Sequence, residues 1–152
     1  MTTSTRQCAR CGPNMHNVVL DTVIFVRSLI NPSGLWGRLV SVHGARYRLV
    51  VSEPVVVEIL EVLHRPELAR KYRGVARANL QTVLDILADA RVIEVGEIPT
   101  IGRDPKDDKF LVTAALAGAD YLVSEDQDLL VLREYEGVHI VDGATFLDLL
   151  DA

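Results

Sequence analysis

Five short apolar runs alternate with helical patterns along this chain, and that alternation predicts an α/β fold whose mainly parallel sheet is covered by helices on both faces. Three observations carry the prediction. The runs at residues 17–21, 47–51, 91–95, 121–123 and 138–141 have the length and composition of buried parallel strands. The segments between them place apolar residues at helical spacing. Carboxylates stand at several strand ends, and an open parallel sheet gathers strand carboxyl ends and helix amino ends on one ligand-binding edge.

Asn17-Val18-Val19-Leu20 closes on Asp21, which lands at that edge. A helix over residues 24–30 stops before Asn31-Pro32-Ser33-Gly34, and a second over 35–42 is closed by Gly44. After the strand at 47–51, Ser52 suits an N-cap, and Pro54 falls in the first turn, where its missing N–H is harmless. The helix over 53–64 buries Val55, Val56, Ile59, Leu60, Val62 and Leu63, with Pro54, Glu58, Glu61 and Arg65 on the opposite stripe. A short helix over 66–72 and a longer one over 75–88 lead to the strand at 91–95 and a polar connection over 96–103. Asp107 then caps a helix carrying Leu111, Ala114 and Ala115 and stopping at Gly118, with Asp108 in its first turn. The strand at 121–123 delivers Ser124 and Asp126 to the edge, residues 129–132 are too short to assign, and Asp142 caps a last helix reaching Leu150.

A chain of 152 residues suits one domain, here residues 17–152, preceded by a polar extension over 1–16 expected to be flexible. The net charge of −5 argues against broad, purely electrostatic nucleic-acid binding but leaves room for a basic rim around an acidic site. Cys8 and Cys11 form a Cys-x-x-Cys with only His16 near enough to add a third ligand, so a four-ligand zinc site is not expected. No apolar run has the length of a membrane span and no signal-like leader precedes the first strand, so the expectation is a cytoplasmic protein with no membrane partner.

Three segments bring acids to the edge: Asp21; Asp104, Asp107 and Asp108; and Glu125, Asp126 and Asp128. Carboxylates crowded together repel, and proton uptake or a bound cation relieves them. A hard divalent ion with oxygen ligands meets that need, polarising a phosphate and activating water. Plainer roles compete at each position. Asp108 suits the helix dipole, worth about 0.3–1 kcal/mol. Glu58 lies on a stripe that would serve as a solvated face. Asp104, Asp107 and Asp128 suit caps and turns as well as supporting ligands. Arg27, Arg103, Lys106 and Lys109 suit either phosphate attraction or plain solvation. Trp36 and Tyr47 are too far apart in sequence to suggest a stacking platform for bases.

The motifs Val-Val-Leu-Asp-Thr at 18–22, Asn-Pro-Ser-Gly at 31–34, Val-Val-Ser-Glu-Pro at 50–54 with Glu58, Leu-His-Arg-Pro at 63–66, Arg-Asp-Pro-Lys-Asp-Asp-Lys-Phe at 103–110 and Gly-Ala-Asp-Tyr-Leu-Val-Ser-Glu-Asp at 118–126 together resemble those of the PIN-domain nucleases. The likeness is specifically to the VapC-like toxins of type II toxin–antitoxin systems. It implies an α/β/α sandwich around a five-stranded, mainly parallel sheet, and Mg²⁺- or Mn²⁺-dependent hydrolysis of single-stranded RNA. Motif matching carries the catalytic set onto Asp21, Glu58, Asp108 and Asp126, with Asp21, Asp108 and Asp126 as metal ligands. Thr22, Asp104, Ser124 and Asp128 are then supporting residues, and Arg27, Arg103 and Lys109 candidates for substrate phosphate. The resemblance also implies an inhibitory small antitoxin and a homodimer. In one place the chain departs from the family: Val23 stands where an Asp-Thr-Asn motif supplies an amide that helps hold the acidic cluster.

Other functions make different demands. A phosphoryl-accepting signalling domain wants an acid pair at the first strand, where Asp21 is single, and a haloacid-dehalogenase-type phosphatase wants a second acid where Val23 stands. The alternative that Val23 keeps open is a degenerate, non-catalytic PIN module binding RNA or an antitoxin.

Overall fold

The structure is a computed structural model and describes residues 15–67, 77–101 and 104–151. Its sheet runs β3-β2-β1-β4-β6-β5, and every neighbouring pair is parallel except β5 with β6. The strands are β1 (His16–Leu20), β2 (Tyr47–Ser52), β3 (Arg91–Ile93), β4 (Tyr121–Val123), β5 (Glu134–Tyr135) and β6 (Val138–Val141). The five predicted strands are the five parallel ones. The sixth, β5, is a two-residue antiparallel addition that no period-two pattern could announce, made where Arg133 and Glu136 turn the chain through positive φ.

The helices are α1 (Thr22–Ile30), α2 (Leu35–Ser41), α3 (Glu53–Leu63), α4 (Arg77–Asp89), α5 (Asp108–Ala117), α6 (Gln127–Leu130) and α7 (Gly143–Asp151). From β1 the chain steps outward to β2 and then β3 through α1 to α4. It returns across the sheet through α5, which packs on β1, β2 and β3, so right-handed crossovers place α5 on the face opposite α1 to α3. Of the predicted helix over 66–72, residues 66 and 67 are helical and the rest lies outside the described residues, as do Cys8, Cys11 and Arg103. Among the described residues no helix is long and apolar enough to cross a membrane.

Val18, Val19, Leu20, Leu49, Val50, Val51, Leu122 and Val123 are all buried, as strands covered on both faces require. Phe25, Ile59, Phe110, Leu111 and Phe146 fill the space against them. Gly118 ends α5 in the left-handed region at φ 62°, and the Ala119 N–H closes the turn on the Ala114 carbonyl at 2.9 Å. Ser52 does not cap α3 through its side chain. Its buried hydroxyl instead meets the Thr113 hydroxyl at 2.7 Å, tying β2 to α5.

Gly37 sets how closely α2 approaches the turn before it. A Cβ there would lie 1.9 Å from the Pro32 carbonyl oxygen, a clash with backbone that no rotamer relieves. Gly37→Ala is therefore expected to cost about 2–3 kcal/mol, read as a fall in melting temperature of about 5–10 °C.

Candidate active site

The sheet order reverses at β1, where β2 lies on one side and β4 on the other, so a crevice opens at the carboxyl ends of β1 and β4. Asp21 follows β1 and Ser124 follows β4. The Asp21 N–H bonds the Val123 carbonyl at 3.0 Å, which brings the two strand ends side by side. The resulting cleft, about 590 Å³, is lined by Asp21, Glu58, Asp104, Asp107, Glu125 and Asp126, with Arg27, Arg65 and Lys106 among them and Val23, Val26, Val62 and Phe110 as its apolar wall. A second cavity of about 550 Å³, around His43 and Asp89, lies apart from these acids.

Asp21 is 7% exposed and accepts a 2.7 Å hydrogen bond from the Ser124 hydroxyl. The same Ser124 oxygen accepts the Asp126 N–H at 3.0 Å, so one fully buried serine aligns two acids from different strand ends. Asp126 in turn caps α6 by accepting the Asp128 N–H at 2.9 Å. Burial raises the Asp21 pKa to about 6; the Ser124 bond lowers it, and the Glu58 and Asp126 charges add to the rise.

The adjacent acids Asp107 and Asp108 part company. Asp107 enters the cleft at the end of a short turn over Pro105–Asp107, whose start is held by Asp104 accepting the Lys106 N–H at 3.0 Å. It does not cap α5 as predicted. Its Oδ2 is buried without a hydrogen-bond partner, and burial followed by the charges of Asp126, Asp21, Asp104 and Asp128 raises its pKa to about 7. Asp108 is 2% exposed, does not line the cleft, and accepts the Ile101 N–H at 3.1 Å. Motif matching assigns a metal ligand to Asp108, whereas the acid that lines the cleft is Asp107. The cause is helix periodicity: Asp108 shares the inward stripe with Leu111 and Val112 at i+3 and i+4, so its carboxyl turns toward the protein. That phase was readable in the sequence.

Glu58 is half-buried and lines the cleft, whereas Glu61 on the same helix is exposed. One Glu58 oxygen accepts the Thr22 hydroxyl, and the other pairs with the Lys109 ammonium at 2.7 Å. Lys109, expected to await phosphate, is thus engaged by Glu58. Arg27 lies with its guanidinium 5.0 Å from the Trp36 ring centroid and 3.9 Å from Glu125. Glu125 is held by the Gly143 N–H at 2.8 Å. Arg65, which the sequence reading left on the solvated stripe of α3, also faces the cleft.

One oxygen from each of Asp104, Asp107, Asp126 and Asp128 falls within 4.8 Å of the others. All these donors are hard carboxylate oxygens, and Asp107 also carries the buried Oδ2 that no hydrogen bond satisfies. That chemistry fits a divalent cation of the oxygen-seeking kind.

These features define an α/β/α protein with an acidic cleft at the switch point of its sheet. The PIN domain family model matches residues 17–128, and the chain belongs to that family, whose members are generally nucleases. The uncharacterized protein MJ1680 of Methanocaldococcus jannaschii is 25% identical over 117 residues, which span 77% of this chain and 75% of that protein. Among solved structures, PAE2754 from Pyrobaculum aerophilum superposes with a TM-score of 0.54 at 16% identity, covering 90% of each chain. VapBC2 from Rickettsia felis, solved bound to a DNA fragment from its promoter, gives 0.53 at 14% identity over 83% of this chain and 98% of that one. At these identities the two structures are alike in fold.

Proposed function

We propose that this protein is a metal-dependent endoribonuclease that hydrolyses single-stranded RNA as the toxin of a type II toxin–antitoxin pair. The observation that carries the reading is the buried, unpartnered Oδ2 of Asp107 in a cleft shared with Asp21 and Asp126. Oxygen without a donor, among carboxylates that repel it, calls for a cation. Asp21, Asp107 and Asp126 are the ligands assigned, and Mg²⁺ or Mn²⁺ is the ion assigned. When bound, such an ion neutralises the acids, polarises the scissile phosphate and activates water for in-line attack.

The chain's own residues prepare the site. Ser124 holds Asp21 and the Asp126 backbone in one arrangement, doing the aligning that the family assigns in part to the amide replaced here by Val23. Thr22 and Lys109 fix Glu58 on the opposite wall. Arg27, Arg65 and Lys106 offer cationic contacts at which a phosphodiester chain enters an otherwise repulsive cleft. A small antitoxin that fills this cleft, a homodimer and a cytoplasmic site of action complete the proposal.

Cleavage of a mixed-sequence single-stranded RNA tests it. Wild type with Mg²⁺ or Mn²⁺ is expected to cut, while Asp21→Asn, Asp126→Asn and chelated wild type do not. Folded protein that leaves several such RNAs intact with either ion would sink the proposal. It would favour the non-catalytic module for which Val23 is the motive, and Val23→Asn would then be the next variant to assay.

A further inference from the structure

We infer that the wall of the cleft formed by α1 is a nucleobase subsite, where Val23 and Val26 seat a base and Arg27 reads its edge, selecting guanine. The inference rests on the ribonuclease reading proposed above and names a base that the RNA must carry. Asp21 stands at the start of α1, and Val23, Val26 and Arg27 follow it along the side of that helix that lines the cleft. Val23 and Arg27 are one helical turn apart, so an apolar shelf runs from the acids to the guanidinium. The valine that takes the place of the family's amide thus supplies surface on which the flat face of a base can lie.

The second observation is how Arg27 is held. Its guanidinium lies 5.0 Å from the Trp36 ring centroid, and its Nη1 is 3.9 Å from Glu125 Oε1. The other Glu125 oxygen accepts the Gly143 N–H at 2.8 Å. Gly143 supports Trp36 as well: a Cβ there would lie 2.5 Å from Trp36 Cζ3, so the ring packs directly on the glycine. The start of α7 therefore anchors both groups that orient the guanidinium, one through a backbone N–H and one through a missing side chain. A cation that only draws phosphate gains nothing from a carboxylate that offsets its charge. A cation that reads a base does gain from a fixed plane, because the guanidinium N–H donors form a rigid fork and accept nothing. Guanine offers that fork N7 and O6 as adjacent acceptors, whereas adenine sets an amino donor beside its N7. Single-stranded RNA leaves that edge free to be read. Cytosine also has paired acceptors, but its single ring covers less of the Val23–Val26 shelf.

Binding of short single-stranded oligoribonucleotides, uridine throughout except for one central G, A or C, with the all-uridine strand as the fourth probe, tests the subsite without an activity assay. Ca²⁺ replaces Mg²⁺, and gel electrophoresis confirms that the strands stay intact. Anisotropy of the labelled strands gives Kd, and the emission of Trp36, the chain's single tryptophan, reports contact beside Arg27. Wild type is expected to bind the G strand about tenfold more tightly than the other three and to change its Trp36 emission as it does so. Arg27→Lys keeps the charge but lacks the fork, and it is expected to bind all four strands within about twofold of one another. Equal binding of the four strands by wild type, a preference for another base, a Trp36 emission that no strand moves, or a G preference that survives in Arg27→Lys would overturn the inference. RNA cleavage without any base preference would remove the subsite and leave the nuclease standing. G-selective binding with no cleavage in Mg²⁺ or Mn²⁺ would remove the nuclease and leave the subsite.

Discussion

Asp107→Asn is expected to lower metal-dependent RNA cleavage on the order of a hundredfold or more, while Asp108→Ala leaves the turnover of the folded enzyme intact. The contrast follows from where two neighbouring acids point. Asp107 lines the cleft with a buried oxygen that nothing donates to, and an amide there gives up the charge a cation needs. Asp108 is buried outside the cleft with the Ile101 N–H on its Oδ2. Truncating it removes that acceptor, at a cost of about 1–3 kcal/mol, so its signature is a melting temperature lowered by several degrees. Single-turnover cleavage and thermal melts on both variants separate the two roles. Loss of cleavage in Asp108→Ala with full activity in Asp107→Asn would restore the motif-based assignment.

That one-residue displacement shows where sequence reasoning reached its limit. The parallel sheet was legible because buried strands in such a sheet are apolar on both faces, as the central runs of β1, β2 and β4 are, while the edge strand β3 leaves Val92 exposed. The position of Asp21 and Asp126 at the cleft was legible because an acid closing a buried strand has little purpose in packing. Asp107 was harder. It sits in a turn before the helix rather than within its periodic part, so a motif of two adjacent acids left the choice open, and the usual cap role drew attention elsewhere. The inward phase set by Leu111 and Val112 carried the answer, since Asp108 falls on that stripe.

The partner of a particular side chain across distant segments was less legible. No local pattern links Lys109 to Glu58, fifty-one positions earlier, yet their 2.7 Å pair takes a phosphate candidate out of service. Ser124 bridging Asp21 and Asp126, by contrast, is the orienting role expected from the resemblance, and β1 lying beside β4 gives it its geometry. Alignment of Asp21 thus passes through a hydroxyl on another strand, whatever Val23 withholds. The two-residue β5 was lost for a related reason: it exists only by pairing with β6.

In a chelator, the melting temperature is expected to fall by about 5–15 °C between about pH 5 and pH 8, and millimolar Mg²⁺ is expected to restore most of that loss at the upper end alone. Burial and neighbouring acids raise Asp21 to about 6 and Asp107 to about 7, each from 3.8. An acid with a raised pKa binds its proton more tightly in the folded chain than in the unfolded one, so across this window the folded state holds more protons and stability declines as pH rises. Each pKa unit is worth about 1.4 kcal/mol, so between pH 5 and its pKa near 6 Asp21 contributes about 1.4 kcal/mol, and Asp107, coupled to it, adds less than the roughly two pH units up to its own pKa would give alone. The decline is complete only above about pH 7, once both carboxylates are ionised. A cation offsets the repulsion only when those carboxylates are charged, which confines its benefit to the same upper range. Asp107→Asn removes one of the two titrations, so the chelated variant should melt higher than wild type near pH 8 and lose most of its response to Mg²⁺. A chelated melting profile that stays flat or rises between pH 5 and 8, or a Mg²⁺ response unchanged by Asp107→Asn, would show that the cleft acids are not the strained cluster their burial describes.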